Sequence, residues 1–287
     1  MISVIVSFCR VKGSGTSYNG KLYVNEIEKE KVQLTQFQNQ VAIVTGASSG
    51  IGQAIAESLA GQGARVVVCG RDAEKGRKVV EGIERGGGTA LFVQVDQVDP
   101  AAPDAIVTRA VEAWGRIDFV INNAALVCNK PIEAVSHEDW DRLFAVNVKS
   151  GFFLVQKALP YLKETRGSIV NISSLNSQKN IAGNFIYDSL KAALNHLTTG
   201  LTLDLRDTGI RCNALLPAGI ATPLLNDWFK QLMEDPSEAD RVAESEKLRA
   251  DVGSPQQVAD AVAYLCSSQA SWVNGALIPL HGGFQIG

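Results

Sequence analysis

The chain has little that could staple it, metallate it or anchor it in a membrane. Its 287 residues include five cysteines, an odd number, scattered at Cys9, Cys69, Cys128, Cys212 and Cys266. No two of them form C-x-x-C, and the three histidines stand apart, so neither a disulfide framework nor a zinc site is expected. Cys69 and Cys212 lie in apolar runs, where a thiol serves as a small buried hydrophobe. Such cysteine usage fits a reducing cytoplasm. No apolar run reaches the roughly 18 residues of a membrane-crossing helix, so no span is expected. Positive charge is not in excess: 27 basic residues face 30 acidic ones, for a net charge of −3. That balance excludes the basic footprint of a nucleic-acid binder. Methionine is scarce too, and none occurs between Met1 and Met233. A natural product starting later would therefore need a non-methionine start codon.

The length allows one large α/β domain or two small ones. Residues 1–38 stand outside the pattern that follows. MISVIVSF is apolar but short, lacks a basic stretch before it, and has no clear small-residue cleavage site after it, so a secretory signal fits poorly. Arg10, Lys12 and Lys21, with no acid before Glu26, leave an organelle-transit segment as an alternative. The plainer expectation is a loosely ordered extension.

From Asn39 onward, β-branched runs alternate with helical patterns. Strands are expected at Val41–Thr45, Arg65–Gly70, Ala90–Asp96, Phe119–Asn122, Ser168–Ile172, Ile210–Leu216 and Ala276–Leu280. These runs are continuously apolar, as in strands buried on both faces of a parallel sheet. Helices are expected at Gly52–Gln62, Asp72–Gly82, Pro103–Trp114, His137–Lys163, Tyr187–Asp207 and Pro255–Ser267. The fold class is α/β: one doubly wound domain over residues 39–287, with about seven parallel strands and helices on both faces. No linker rich in Pro, Gly or Ser divides it. Residues 222–251 break the alternation with a charged, helix-prone segment.

Two local patterns carry chemistry. TGASSGIG, Thr45 to Gly52, joins an apolar strand to a helix. Gly46 permits a tight turn, and Gly50 and Gly52 let the backbone approach a pyrophosphate at the positive helix end. Ser48, Ser49 and Ile51 complete this cofactor-binding turn. The second pattern is YDSLK. Of five tyrosines, only Tyr187 has a lysine, Lys191, four residues on. That spacing places both side chains on one helix face. Ser174 ends the strand-like run GSIVNISS upstream. A nearby ammonium and a cationic nicotinamide are expected to lower the tyrosine pKa from its usual value near 10, making Tyr187 an acid–base group. The glycine turn and the Ser–Tyr–Lys set together point to a nicotinamide-dependent oxidoreductase. Asn171-Ile172-Ser173 spells a glycosylation acceptor, but it sits in an expected core strand.

TGxxxGxG with YxxxK resembles the short-chain dehydrogenase/reductase family, and the resemblance runs through nearly all of residues 40–287. Asn122-Asn123-Ala124-Ala125 is similar to the family's NNAG, with Ala125 in place of glycine. IRCNALLPAGIATP resembles its N-x-x-x-P-G-x-x-x-T, with Ala218 in place of glycine, and His281 replaces the aspartate of the C-terminal DGG. The resemblance implies a Rossmann fold and a catalytic set of Asn147, Ser174, Tyr187 and Lys191. Asn147 would hold a relay water, and Lys191 would also grip the nicotinamide ribose. It further implies cofactor contacts from Asn123, Ala124, Pro217, Ile220 and Thr222, an adenine contact from Asp96, and a homotetramer or dimer built through the two long helices beside the site.

Cofactor choice is read at the end of the second strand, in VVVCGRD. Gly70 stands where NAD enzymes of this family usually carry an aspartate, and Arg71 follows where NADP enzymes often carry a base. Asp72 reads as the cap of the next helix. NADP is therefore expected over NAD, with Ser48 as a further phosphate contact. The partner is a small alcohol or carbonyl. PAGIATPLLNDW is similar to the stretch in fucose-type sugar dehydrogenases, so a sugar or polyol is the first substrate class. Asn176, Gln178 and Asn184 are polar positions suited to hydroxyls. Trp228, Phe229, Leu224 and Leu225 belong to the segment expected to cover the substrate. A 3-oxoacyl-thioester or other ketone reductase is the alternative, and a dinucleotide-binding sensor is the non-enzyme reading. An enoyl reductase fits less well, because that branch spaces its Tyr and Lys more widely.

Overall fold

In the computed structural model the described residues are 36–232 and 252–283. Most of the expected N-terminal extension, and residues 233–251 of the covering segment, lie outside them. Seven strands form one sheet in the order β3-β2-β1-β4-β5-β6-β7. They are β1 Val41–Val44, β2 Arg65–Gly70, β3 Thr89–Gln94, β4 Phe119–Asn122, β5 Ser168–Ile172, β6 Arg211–Pro217 and β7 Leu277–Leu280. Every neighbouring pair is parallel; Ile43 aligns with Val67 on one side and with Val120 on the other. The strand order reverses between β1 and β4, the place where doubly wound sheets open a crevice at the strands' carboxyl ends.

Eight α-helices are described: α1 Gly50–Gly61, α2 Ala73–Arg85, α3 Ala102–Trp114, α4 His137–Phe144, α5 Ser150–Thr165, α6 Phe185–Leu205, α7 Pro223–Leu232 and α8 Pro255–Cys266. Alternating side chains of each strand feed two cores. Ala42, Val44, Val66 and Val68 meet Ile55 and Leu59 of α1 and Val258 and Val262 of α8. Ile43, Val67, Val120 and Ile169 meet Ile106 of α3 and Leu154, Ala158 and Leu162 of α5. Burial of each such side chain contributes about 1.5–3 kcal/mol, so both faces of the sheet are committed to helices. Phe37, just before β1, is also buried and packs edge-on against Phe119 at 5.3 Å.

Three expectations change. The helix expected over His137–Lys163 is interrupted: a π turn at Ala145–Lys149 separates α4 from α5. Such a turn carries one residue more than α-helical geometry needs and re-aims the side chains around it. The third strand stops at Gln94, so Asp96 sits in the turn beyond it, where its carboxylate accepts the Val98 N–H at 3.1 Å. The helix expected from Tyr187 begins at Phe185, with Asn184 at its N-cap. Asp72 caps α2 as expected, accepting the N–H groups of Glu74 and Lys75 at 3.1 and 3.0 Å.

Candidate active site

One cavity of about 900 Å³ follows the carboxyl edge of the sheet across the β1–β4 switch point. At its centre lies the glycine turn. Gly46 and Gly50 have φ of +63° and +57°, which only glycine adopts without strain. A Cβ on Gly46 would stand 2.9 Å from Ala124 Cα, so the turn presses on the backbone after β4. Thr45 and Asn123 lock this contact. Thr45 Oγ1 accepts the N–H groups of Asn123 and Ala124, each at 3.0 Å, and Asn123 Nδ2 donates to Thr45 O at 2.8 Å. Thr45 was not singled out from sequence; its place at the strand exit was the available signal. Ser49, at the N-cap of α1, makes no side-chain capping bond, and the first turn holds no acid. Free N–H groups and the helix dipole thus face the cavity through Ser49, Gly50 and Ile51, as anion binding requires. Gly52 does not line the cavity. It lies beneath the turn, where a Cβ would be 2.5 Å from Asn123 Nδ2.

At one end, Ser48, Gly70, Arg71, Asp72, Lys75 and Asp96 form the wall. A Cβ on Gly70 would meet Ser48 Oγ at 2.9 Å, so the serine hydroxyl fills the space a longer side chain would need. Lys75 was missed from sequence; it enters this wall because the α2 cap brings it round.

At the other end stand Ser174, Tyr187 and Lys191. Ser174 Oγ accepts the Asn176 N–H at 3.2 Å, which leaves its own proton for the phenol or a ligand oxygen. Ser177 braces the serine by donating to its carbonyl at 2.6 Å, and Asn195 donates to Ser177 Oγ at 2.7 Å. Lys191 is 1% exposed; its ammonium donates to Ile172 O at 2.9 Å and lies 5.4 Å from the Tyr187 ring centroid. The pKa shifts run against the expectation. Burial pushes the Tyr187 phenol up to about 12; the Ser174 hydrogen bond pulls it down, and the Asp188 charge raises it. Burial pushes the Lys191 ammonium down to about 7. In the protein alone, loss of water therefore outweighs the pull of the Ser174 hydrogen bond.

Asn147 lies behind the cavity wall, inside the π turn. Its Nδ2 donates to Leu126 O at 3.1 Å and Leu143 O at 3.0 Å, while its buried Oδ1 has no partner among the described residues. Pro217, Ile220 and Thr222 follow β6 along the cavity floor, and Thr222 sits over the start of α1. Leu224, Leu225 and Trp228 of α7 face the cavity, whereas Phe229 packs against the Trp228 ring at 5.1 Å and is not part of the wall. Asn129 holds α7 in place by donating to Trp228 O at 3.1 Å. Beneath the site, Asn122 donates to Asn171 at 2.9 Å and Asn171 to Thr198 at 2.8 Å, a polar rung that ties β4, β5 and α6 together.

A dinucleotide fits this arrangement: the uncapped helix end and the space kept open by Gly46 suit a pyrophosphate. The fold and site define an oxidoreductase that interconverts alcohols and carbonyls with a nicotinamide dinucleotide. Comparison with known proteins bears on the same point. The family profile described as Enoyl-(Acyl carrier protein) reductase matches residues 46–285. The chain is 33% identical to 2,5-dichloro-2,5-cyclohexadiene-1,4-diol dehydrogenase of Sphingobium indicum, covering 86% of this chain and 97% of that one. It is 31% identical to the 3beta-hydroxysteroid dehydrogenase of Mediterraneibacter gnavus, covering 87% and 96%. The crystal structure of levodione reductase superposes with a TM-score of 0.80 at 30% identity, over 86% of this chain and 98% of that one. The chain belongs to the short-chain dehydrogenase/reductase family, and it is an oxidoreductase acting on CH–OH groups. Among the described residues no helix is long and apolar enough to cross a membrane.

Proposed function

We propose that the enzyme oxidises a secondary alcohol, or reduces the matching ketone, with NADP preferred to NAD and with Tyr187 as the acid–base group. The observation that carries this reading is the convergence of Tyr187, Ser174 and Lys191 on the cavity that also receives the glycine turn. The bound nicotinamide supplies the hydride acceptor or donor. Ser174 and Tyr187 hold the substrate oxygen between them. In oxidation, the Tyr187 oxygen takes the hydroxyl proton as the carbinol C–H leaves as hydride; in reduction the proton returns to the carbonyl oxygen. The tyrosine ionises only if something offsets its burial. Ser174 is one such group, and the positive charge of an oxidised nicotinamide would be another. Lys191, with a pKa near 7, exchanges protons readily at working pH, and Asn147, whose oxygen has no partner among the described residues, would hold the relay water.

NADP preference rests on the Gly70 end of the cavity. No carboxylate projects from Gly70; Ser48 fills its place, Asp72 caps α2 through Oδ1 and pairs with Lys75 through Oδ2 at 3.7 Å, and Arg71 offers a cation to a ribose phosphate. For the substrate, Leu224, Leu225 and Trp228 make the α7 wall largely apolar beside Asp227, and Asn176, Lys179 and Asn184 make the facing wall largely polar, which suits a carbinol on a compact carbon frame carrying further polar groups. Sugars and polyols belong to that class. Ketone reduction is the second reading, favoured by the likeness to levodione reductase. We further propose a cytoplasmic homo-oligomer. Four buried free thiols suit a reducing compartment, and Trp140, Phe144 and Phe153 of α4 and α5 expose apolar surface suited to a subunit contact.

The test is turnover of polyols, aldoses and cyclic alcohols with NADP and NAD side by side, followed by nicotinamide absorbance. NADP should give a kcat/KM at least about tenfold higher, and Arg71→Ser should narrow that ratio. Tyr187→Phe should bind cofactor without turning over. Retained activity in Tyr187→Phe would sink the acid–base assignment, and NAD preference would sink the reading of Arg71.

A further inference from the structure

Asp188 directly follows the acid–base tyrosine, yet it is 1% exposed and has no part in the chemistry above. Its carboxylate accepts the Ile181 N–H at 2.8 Å and the Asn184 side-chain NH2 at 2.6 Å. The Asn176 side chain hydrogen-bonds to it as well. An ionised carboxylate can only accept, so both asparagines give it their NH2 groups. That fixes the direction of both amides. What remains to each is the carbonyl oxygen, which is an acceptor and nothing else. Both residues line the cavity near Ser174 and Tyr187, and among the described residues no donor reaches the buried Asn184 Oδ1. A buried acceptor left unpaired is costly, so a donor that reaches it is favoured there. Asn176 is also the residue whose N–H positions the Ser174 hydroxyl. The acceptor and the serine that grips the reacting oxygen are thus two residues apart on one short turn.

We propose that Asp188, by engaging the NH2 groups of Asn176 and Asn184, builds an acceptor subsite that reads a second hydroxyl close to the reacting carbinol. The substrate is then a diol or a hydroxyketone. A neighbouring carbonyl or carboxylate is disfavoured, because acceptor would face acceptor. This rests on the reading of Tyr187 and Ser174 as the groups that hold the reacting oxygen. Asp188 acts through the asparagines and is a positioning residue. If it merely clamped the loop, its loss would weaken all substrates alike.

Paired substrates separate these roles: 2,3-butanediol against 2-butanol, and trans-1,2-cyclohexanediol against cyclohexanol, each with NADP and NAD on the full-length protein. The wild type should show a kcat/KM at least about tenfold higher for the diol of a pair, the effect of one hydrogen bond. Asn176→Ala removes an acceptor, and Asp188→Asn frees the amides to turn. Each should cut the diol-to-monoalcohol ratio at least about fivefold, chiefly through the diol KM. Cofactor binding by fluorescence quenching reports whether each variant is folded. Equal kcat/KM for diol and monoalcohol in the wild type overturns the subsite and leaves the dehydrogenase reading standing. So does a ratio that survives in a variant that still binds cofactor. No turnover of any alcohol, or of the matching ketones in reverse, overturns the dehydrogenase reading and the subsite with it.

Discussion

Replacing Lys191 with methionine should stabilise the cofactor-free protein while removing its activity. The lysine is 1% exposed, and among the described residues its ammonium hydrogen-bonds only to Ile172 O and has no ion-pair partner. Burial takes its pKa from 10.5 to about 7. Between those values the unfolded chain holds a proton that the folded protein has released. The unfolded state binds more protons, so stability rises with pH across that window, by up to about 1.4 kcal/mol per pH unit. Near pH 7, burial of the ammonium site costs on the order of 3–4 kcal/mol. Methionine avoids that cost but leaves the Ile172 carbonyl unpaired, a loss of about 1–3 kcal/mol. The net gain near pH 7 is on the order of 1–2 kcal/mol. Urea unfolding of both proteins at pH 6.5, 7.5 and 8.5, at one protein concentration, measures it. The advantage of Lys191→Met should be largest at pH 6.5 and shrink as pH rises. Burial also pushes the Cys212 and Cys266 thiols up to about 12, which gives the opposite slope in strong alkali. These thiols are shared by both proteins and cancel in the difference. Parallel stability curves, or a variant less stable throughout, would refute the argument that this ammonium is held at a cost.

Three further outcomes are expected. Gly52→Ala should lower cofactor affinity at least about a hundredfold in a fluorescence titration. Its Cβ would press on Gly46 O and Asn123 Nδ2, breaking the turn's contact with β4. Ser174→Ala should lower kcat by about 10²–10³ and move the ascending, acid-side limb of the oxidation profile to higher pH, because the hydrogen bond that lowers the Tyr187 pKa is gone. A limb that stays or moves down would contradict that. Asp118→Asn should destabilise the fold by about 2–3 kcal/mol in denaturant unfolding, with cofactor binding intact in the folded fraction. Its buried Oδ2 accepts Val41 N at 2.8 Å and Arg116 Nε at 2.9 Å while Oδ1 accepts Arg116 Nη2 at 2.6 Å, and an amide has only one oxygen to serve both positions.

The five inner strands were legible because each is a short apolar run buried on both faces, a pattern that needs no knowledge of partners; the edge strands β3 and β7 are only partly buried but keep the apolar run. Gly46, Gly50, Ser174, Tyr187 and Lys191 were legible because their spacing already implies a turn and a shared helix face. The directions of the Tyr187 and Lys191 pKa shifts were not. They depend on how much water α6 loses against β5 and the 174–177 turn, which tertiary packing decides. Asn147 was identified by resemblance, but the π turn around it was not, since AVNVK is compatible with an ordinary helix. Asn176 and Asn184 stood out as polar positions, but the direction of each amide depends on Asp188. From sequence, that residue looks like any acid in the first turn of a helix.

The π turn also has a consequence for helical phase. One residue beyond α-helical need rotates everything that follows by about 100°. The stripe Leu154, Val155, Ala158 and Leu162 on α5 reaches the sheet only because that offset has already been made at Ala145–Lys149. Asn147 and the α5 core stripe therefore share one phase setting, although one belongs to the site and the other to the scaffold. Substitutions in this stretch can act locally. Deleting a single residue from it would turn the asparagine out of its place and face polar residues of α5 towards the sheet in the same stroke.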